Sequence, residues 1–176
     1  MLHWQAKLLA LVACALLLSA ARARAQERPI TWTLKVNSSA RAFKPGDTFK
    51  VQVTAQISAG WHVYATSQPR GGPKPTSFML PPDQPFKLAG LPSAPPPLTS
   101  FDASFDLPTK FYEKSVTFTL SVLITADASA GQRELQLVVA FQSCSKQVCL
   151  PVKKVPLKTS VEVASTKPKT AHRKRH

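Results

Sequence analysis

Apolar and polar residues alternate with a period of two along several stretches of the chain, the signature of half-buried β-strands. Ile30, Trp32, Leu34 and Val36 share one face of the first stretch. Phe49, Val51, Val53, Ala55 and Ile57 share one face of the next, opposite Lys50, Gln52, Thr54 and Gln56, and Lys44-Pro45-Gly46-Asp47 supplies the turn between the two. Val116, Phe118, Leu120, Val122 and Ile124 repeat the pattern. An Ala130-Gly131 turn then leads into Leu135, Leu137, Val139 and Phe141, and Val155, Leu157, Val161 and Val163 close the series. No 3.6-residue stripe occurs outside the N-terminal leader, so the pattern predicts an all-β antiparallel sandwich of immunoglobulin-like type, its strand order left open.

The middle of the chain reads differently. Ten of the sixteen prolines fall between Pro69 and Pro97, where only short runs such as Ser77 to Leu80 and Phe86 to Leu91 can pair. Proline removes ladder donors and confines such runs to sheet edges or loops, so this connection is either a binding loop or an irregular crossover. Ahead of it, Trp61-His62-Val63-Tyr64 reads as a short strand with Trp61 and Val63 packed inward and Tyr64 near a partner surface.

The termini add an address. Lys7, an apolar run from Leu8 to Ala20 and small residues at Ala23 and Ala25 fit a secretory leader cleaved after Ala25. Leu11-Val12-Ala13-Cys14 offers a lipoprotein processing site as the alternative, which would anchor the chain through Cys14. The expected organisation is a signal peptide over residues 1–25, one β-sandwich domain over 26–166 and a basic disordered tail over 167–176. Removing the three leader cations (Lys7, Arg22, Arg24) and the five of the tail (Lys167, Lys169, Arg173, Lys174, Arg175) from the net charge of +14 leaves +6. Most of the basicity is therefore terminal. Export argues against nucleic acid as a partner, and no downstream run approaches the ~20 apolar residues of a membrane span.

After leader cleavage the remaining thiols are Cys144 and Cys149, within Phe141-Gln142-Ser143-Cys144-Ser145-Lys146-Gln147-Val148-Cys149-Leu150-Pro151. Strand parity places Cys144 away from the core, on the side of Gln136, Val138, Ala140 and Gln142, and so within reach of solvent; a bulge after Phe141 would reverse this. If Ser145 to Val148 form a hairpin loop, the two cysteines lie opposite each other at a separation that allows a disulfide. As a staple such a short bridge contributes only about 2 kcal/mol, against about 5 for one spanning a hundred residues. No Asp or Glu occurs between Glu134 and Glu162, whereas Lys146, Lys153, Lys154 and Lys158 do, a setting that favours thiolate over thiol. These residues leave a redox pair and a structural staple both open.

Other chemistries fit less well. Within the expected domain His62 is the one histidine, which excludes a zinc site of two cysteines and two histidines and a histidine-rich copper site; no metal and no cofactor is expected. A Cu(I) site from Cys144, Cys149 and Met79 is a weaker alternative. A cysteine-histidine hydrolase would need His62 beside a cysteine and an oxyanion site, for which no motif is visible.

Gly60-Trp61-His62-Val63-Tyr64, then Gly71-Gly72-Pro73-Lys74-Pro75-Thr76, then Phe141 through Cys144 to Cys149-Leu150-Pro151 with Val155-Pro156-Leu157 occur in one order. Together they resemble the N-terminal periplasmic domain of the disulfide-interchange reductase DsbD, a family also called the disulfide-bond corrector domain. The resemblance runs from about Ile30 to Val163. It implies an immunoglobulin-like sandwich in which Cys144 and Cys149 are the catalytic redox pair of a thiol-disulfide oxidoreductase, with Cys149 the exposed attacker and Cys144 its partner. The gap between the cysteines is shorter here than in the bacterial type member.

The resemblance further implies a cap loop over the thiols. Its candidate here is Asp102-Ala103-Ser104-Phe105-Asp106, with Phe105 as the lid, Asp102 and Asp106 as its acidic members, Phe111 or Tyr112 as second choices, and Tyr64 lining the same surface. The implied partners are periplasmic thioredoxin-fold proteins and, in trans, a membrane-embedded thiol reductase, serving disulfide isomerisation or cytochrome c maturation through a monomeric module. The competing function is a periplasmic β-sandwich adaptor whose cysteine bridge is permanent.

Overall fold

The strands form where alternation places apolar side chains on one face and polar ones on the other. A computed structural model of the chain describes residues 28–37 and 40–165. In chain order its strands are β1 (Ile30–Val36), β2 (Thr48–Ile57), β3 (Trp61–Tyr64), β4 (Ser77–Met79), β5 (Phe86–Leu88), β6 (Leu98–Asp102), β7 (Leu107–Tyr112), β8 (Ser115–Ile124), β9 (Gly131–Phe141), β10 (Ser143–Ser145) and β11 (Lys153–Val163). They pair antiparallel in three sheets, ordered β1-β2-β8-β5, β11-β9-β4 and β10-β3-β7-β6. The described residues contain no helix. The expected leader, its alternative processing site at Cys14 and the basic tail lie outside the described residues.

The first two sheets face each other across the core, as an immunoglobulin-like sandwich requires. Val51, Val53 and Ala55 from β2 and Phe118, Leu120 and Val122 from β8 meet Leu135, Leu137, Val139 and Phe141 from β9, all buried. Trp32 of β1 joins the layers through its ring, 5.2 Å from Phe141, 6.1 Å from Phe118 and 6.5 Å from Phe78. The polar positions of β2 face outward, where Thr54 hydrogen-bonds Thr117 across the β2-β8 pair at 2.9 Å. The Lys44–Asp47 turn forms as the sequence predicts: the Asp47 N–H donates to the Lys44 carbonyl at 3.0 Å and Gly46 adopts φ 89°.

The proline-rich segment holds the two short strands expected there, β4 and β5, each on a sheet edge. It also leads into β6 and β7, a hairpin that the alternation did not predict. β6 is an edge strand with four of its five residues exposed, so it carries no apolar stripe to read. Trp61 is half-buried against the core and Val63 wholly buried, while Tyr64 is also wholly buried rather than surface-facing, because a loop covers it.

Candidate functional site

The site forms where the chain changes sheets. β9 ends at Phe141, paired with Lys153 of β11, and after Gln142 the chain joins β3 instead, as β10. Gln142 is held at this break by the Lys74 N–H, which donates to its side-chain oxygen at 3.0 Å. Strand parity does not survive the change. Ser143 and Cys144 are buried in succession, and Cys144 is 1% exposed, contrary to the outward position that parity predicts. The half-buried cysteine is Cys149.

Ser145 to Val148 do form a hairpin loop. The Ser145 N–H donates to the Val148 carbonyl at 2.8 Å, and the Leu150 N–H to the Ser143 carbonyl at 2.9 Å. The Ser145 hydroxyl oxygen accepts from the N–H groups of Gln147 and Val148, both at 3.2 Å, which fixes the turn. Between these bonds Cys144 and Cys149 occupy a non-hydrogen-bonded pair, the closer of the two antiparallel arrangements, with Cα atoms 4.0 Å apart. Their sulfurs are joined in a disulfide.

Tyr64 lies over the buried sulfur. Its hydroxyl donates to Asp102 Oδ2 at 2.7 Å and sits 3.1 Å from Cys144 Sγ and 4.0 Å from Cys149 Sγ. Burial, reinforced by the hydrogen bond to Asp102 and its negative charge, pushes the Tyr64 ionisation far above the ordinary tyrosine range, so the hydroxyl stays a donor. Asp102, the last residue of β6, is itself fixed by the Ser104 N–H at 3.0 Å and the Thr109 hydroxyl at 3.4 Å. In the loop that follows, the Phe105 N–H donates to the Asp102 carbonyl at 3.1 Å, and the Phe105 ring stands edge-on to Tyr64 at 6.0 Å. Asp106 lies in the turn itself with φ 55°.

Of the second-choice aromatics, Phe111 packs on His62 at 4.9 Å. Tyr112 turns into the core against Phe118 at 5.6 Å, its hydroxyl donating to the Pro95 carbonyl. Sequence reasoning gave His62 no role, yet it is the cross-strand partner of Cys144 and lies edge-on to Tyr64 at 5.0 Å. The signal was present in the alternation, since residues two apart on a strand share a face and Tyr64 was already a candidate.

Thr76 was also missed. It is buried, and its hydroxyl donates to the Tyr64 carbonyl at 2.6 Å, tying the proline-rich segment to the end of β3. Thr76→Val keeps the shape but removes that donor. The expected loss is about 1–2 kcal/mol in a urea or guanidinium unfolding titration.

A cleft of about 410 Å³ opens between the cap and the cysteine hairpin, lined by His62, Phe101, Asp102, Phe111, Glu113 and Lys146. A larger one of about 740 Å³, around Asp83, Asp127 and Arg133, contains none of the site residues. Among the described residues no group of three or more His, Cys, Asp or Glu side chains is placed to hold a metal ion. Met79, the third sulfur of the copper alternative, lies on β4 opposite Val138, in a different sheet from Cys144.

Comparison with known proteins gives a consistent likeness. The family model described as "Thiol:disulfide interchange protein DsbD, N-terminal" matches residues 33–160. Among solved structures, the reduced N-terminal domain of Neisseria meningitidis DsbD superposes with a TM-score of 0.53 at 19% identity, covering 81% of this chain and 94% of that one. The N-terminal periplasmic domain of ScsB from Proteus mirabilis gives a TM-score of 0.55 at 20% identity, covering 76% of this chain and 47% of that one. At these identities the superpositions speak for the fold. No curated protein gives a significant match.

Proposed function

Because this chain belongs to the family of DsbD N-terminal domains, we propose that it is an exported module that exchanges disulfides with thioredoxin-fold proteins through Cys144 and Cys149. On this reading it passes on electrons delivered by a membrane-embedded thiol reductase. The observation that carries the proposal is the asymmetry of the disulfide: Cys149 is half-buried at the end of a hairpin, and Cys144 is buried against a tyrosine that a carboxylate holds in place. A permanent staple needs no such arrangement. Export is supported by the leader-like N-terminus and by the likeness to a periplasmic domain. No helix among the described residues is long and apolar enough to cross a membrane.

Each step of the exchange has a group to perform it. When a reductant's thiolate attacks the accessible Cys149 sulfur, the bond between Cys149 and Cys144 breaks and the electron pair leaves on Cys144. The Tyr64 hydroxyl is 3.1 Å from that sulfur and can turn its proton from Asp102 to the new thiolate. A second thiolate of the reductant attacks the reductant's own sulfur in the mixed disulfide and releases Cys149 reduced. In the forward direction Cys149 attacks a partner's disulfide, and Cys144 attacks Cys149 in the resulting mixed disulfide, re-forming the bridge and releasing the partner reduced. Phe105, as the lid on Tyr64, keeps oxidants from the pair until a partner displaces it.

Trapping tests the proposal. Cys144→Ala retains the accessible thiol but cannot resolve a mixed disulfide, so thioredoxin-fold proteins from a periplasmic extract should accumulate on Cys149 as reductant-sensitive adducts, identified by mass spectrometry. If neither Cys144→Ala nor Cys149→Ala captures a protein, and the wild-type disulfide resists mild reductants, the bridge is structural and the adaptor reading replaces this one.

A further inference from the structure

The exchange leaves one charge without a counterpart. When the disulfide opens, Cys144 becomes a thiolate in a site 1% exposed to water, beside a tyrosine hydroxyl whose other neighbour is the Asp102 carboxylate. Two negative groups then share a single hydroxyl proton. A desolvated thiolate in that position needs a nearby cation.

Lys146 lines the cleft from the tip of the hairpin but is exposed, where water screens its charge. His62 stands directly across β3 and β10 from Cys144, on the same face as Tyr64. Its ring is held between Tyr64 at 5.0 Å and Phe111 at 4.9 Å, and its Nε2 is buried without a hydrogen-bond partner. A buried polar atom left unpaired in one state of a protein is a candidate for a partner in another.

We propose that His62 binds the proton that balances the charge on Cys144 when the disulfide opens, so that exchange at this site is coupled to protonation of an imidazole. The inference rests on the exchange reading above. The step balances as follows: a partner thiolate forms a bond to Cys149 Sγ, the Cys149–Cys144 bond breaks, Cys144 retains the electron pair, and His62 takes one proton from solvent. Reversal returns that proton as Cys144 re-forms the bridge and the partner thiolate departs.

The groups facing the imidazole are Tyr64 on its own strand, Cys144 across the ladder with Cys149 bonded to it, Lys146 at the hairpin tip, Asp102 at the end of β6, and Glu113 after β7. In the disulfide state burial holds His62 below its ordinary value and outweighs Asp102 and Glu113, which pull it upward. A thiolate at Cys144 adds a further negative charge on the same face and moves the balance toward the imidazolium. The pairing is present below the reduced-state midpoint of His62 and is lost as pH rises through it.

Ring-proton NMR of the wild-type protein tests this without any partner. His62 should titrate below 6.5 in the disulfide form. After reduction with dithiothreitol its midpoint should lie at least about one unit higher, a tenfold gain in proton affinity. In a Cys149→Ser background, where Cys144 is the remaining thiol of the pair, His62→Phe and His62→Gln should both raise the thiol pKa by about one unit, read from thiolate absorbance. Equal midpoints in the two redox states, or a Cys144 pKa unmoved by both substitutions, would overturn the proposal. A wild-type disulfide that dithiothreitol cannot open would instead count against the exchange reading itself.

Discussion

Replacing Cys149 with serine is expected to slow reaction of the remaining Cys144 thiol with a protein disulfide by a factor of about 30 to 2,000, relative to the Cys149 thiol in Cys144→Ser. The difference follows from what covers each sulfur. Cys149 lies half-exposed after the hairpin, whereas an incoming sulfur can reach Cys144 only if Tyr64 and the loop above it move. That movement breaks a hydrogen bond to a carboxylate, worth about 1.5–3 kcal/mol, and an edge-on aromatic contact, worth about 0.5–1.5 kcal/mol. Their sum, about 2–4.5 kcal/mol, corresponds to a rate factor of about 30 to 2,000. Single-turnover mixing of each variant with an oxidised thioredoxin-fold protein measures the ratio. Equal rates would mean that the cover does not restrict access.

The same comparison isolates the cap. Adding Phe105→Ala to Cys149→Ser removes the aromatic contact but leaves the Tyr64–Asp102 bond, so it should restore part of the lost rate. A full recovery would assign the whole barrier to Phe105, and none would assign it to Tyr64 and Asp102. Both outcomes are informative because the loop is fixed at its base, where Asp102 accepts from Ser104 and Thr109.

Where one face of a strand is buried, its register is written in the chain. The inward residues of β2, β8 and β9 could be named from alternation alone, and those central strands carry much of the core. The β6-β7 hairpin was illegible for the converse reason: β6 is an exposed edge strand, and β7 contains Pro108, so neither shows a clean period. Cys144 was placed on the wrong side because parity holds only within one sheet. At Gln142 the chain exchanges β11 for β3 as its neighbour, and no residue type there announces the change. The closeness of the two cysteines was legible, since a four-residue loop constrains it. The grouping of Tyr64, Asp102 and Phe105 about the sulfurs was suggested only by family resemblance, because the residues lie far apart in sequence and meet through a hairpin that alternation does not reveal.

The second large effect separates the scaffold from the chemistry. Phe118 of β8 is 0% exposed, and its ring meets Phe78 at 5.1 Å, Tyr112 at 5.6 Å and Trp32 at 6.1 Å. These neighbours come from all three sheets, so no single strand can shift to fill the space a truncation would leave. Phe118→Ala is therefore expected to cost about 3–5 kcal/mol, the transfer term plus the cavity. For a domain whose total stability is on the order of 5–15 kcal/mol, that is a large fraction, and the denaturant midpoint should fall with little change in slope. Under conditions where the variant remains folded, its Cys149 thiol should react at the wild-type rate, because Phe118 lies in the core and takes no part in the hairpin that carries Cys149 or in the contacts of Tyr64 with Cys144, Asp102 and Phe105. A loss below about 1 kcal/mol would mean that the three sheets do not share one core. Unchanged stability with a raised thiol reactivity would mean that the ring supports the cap instead.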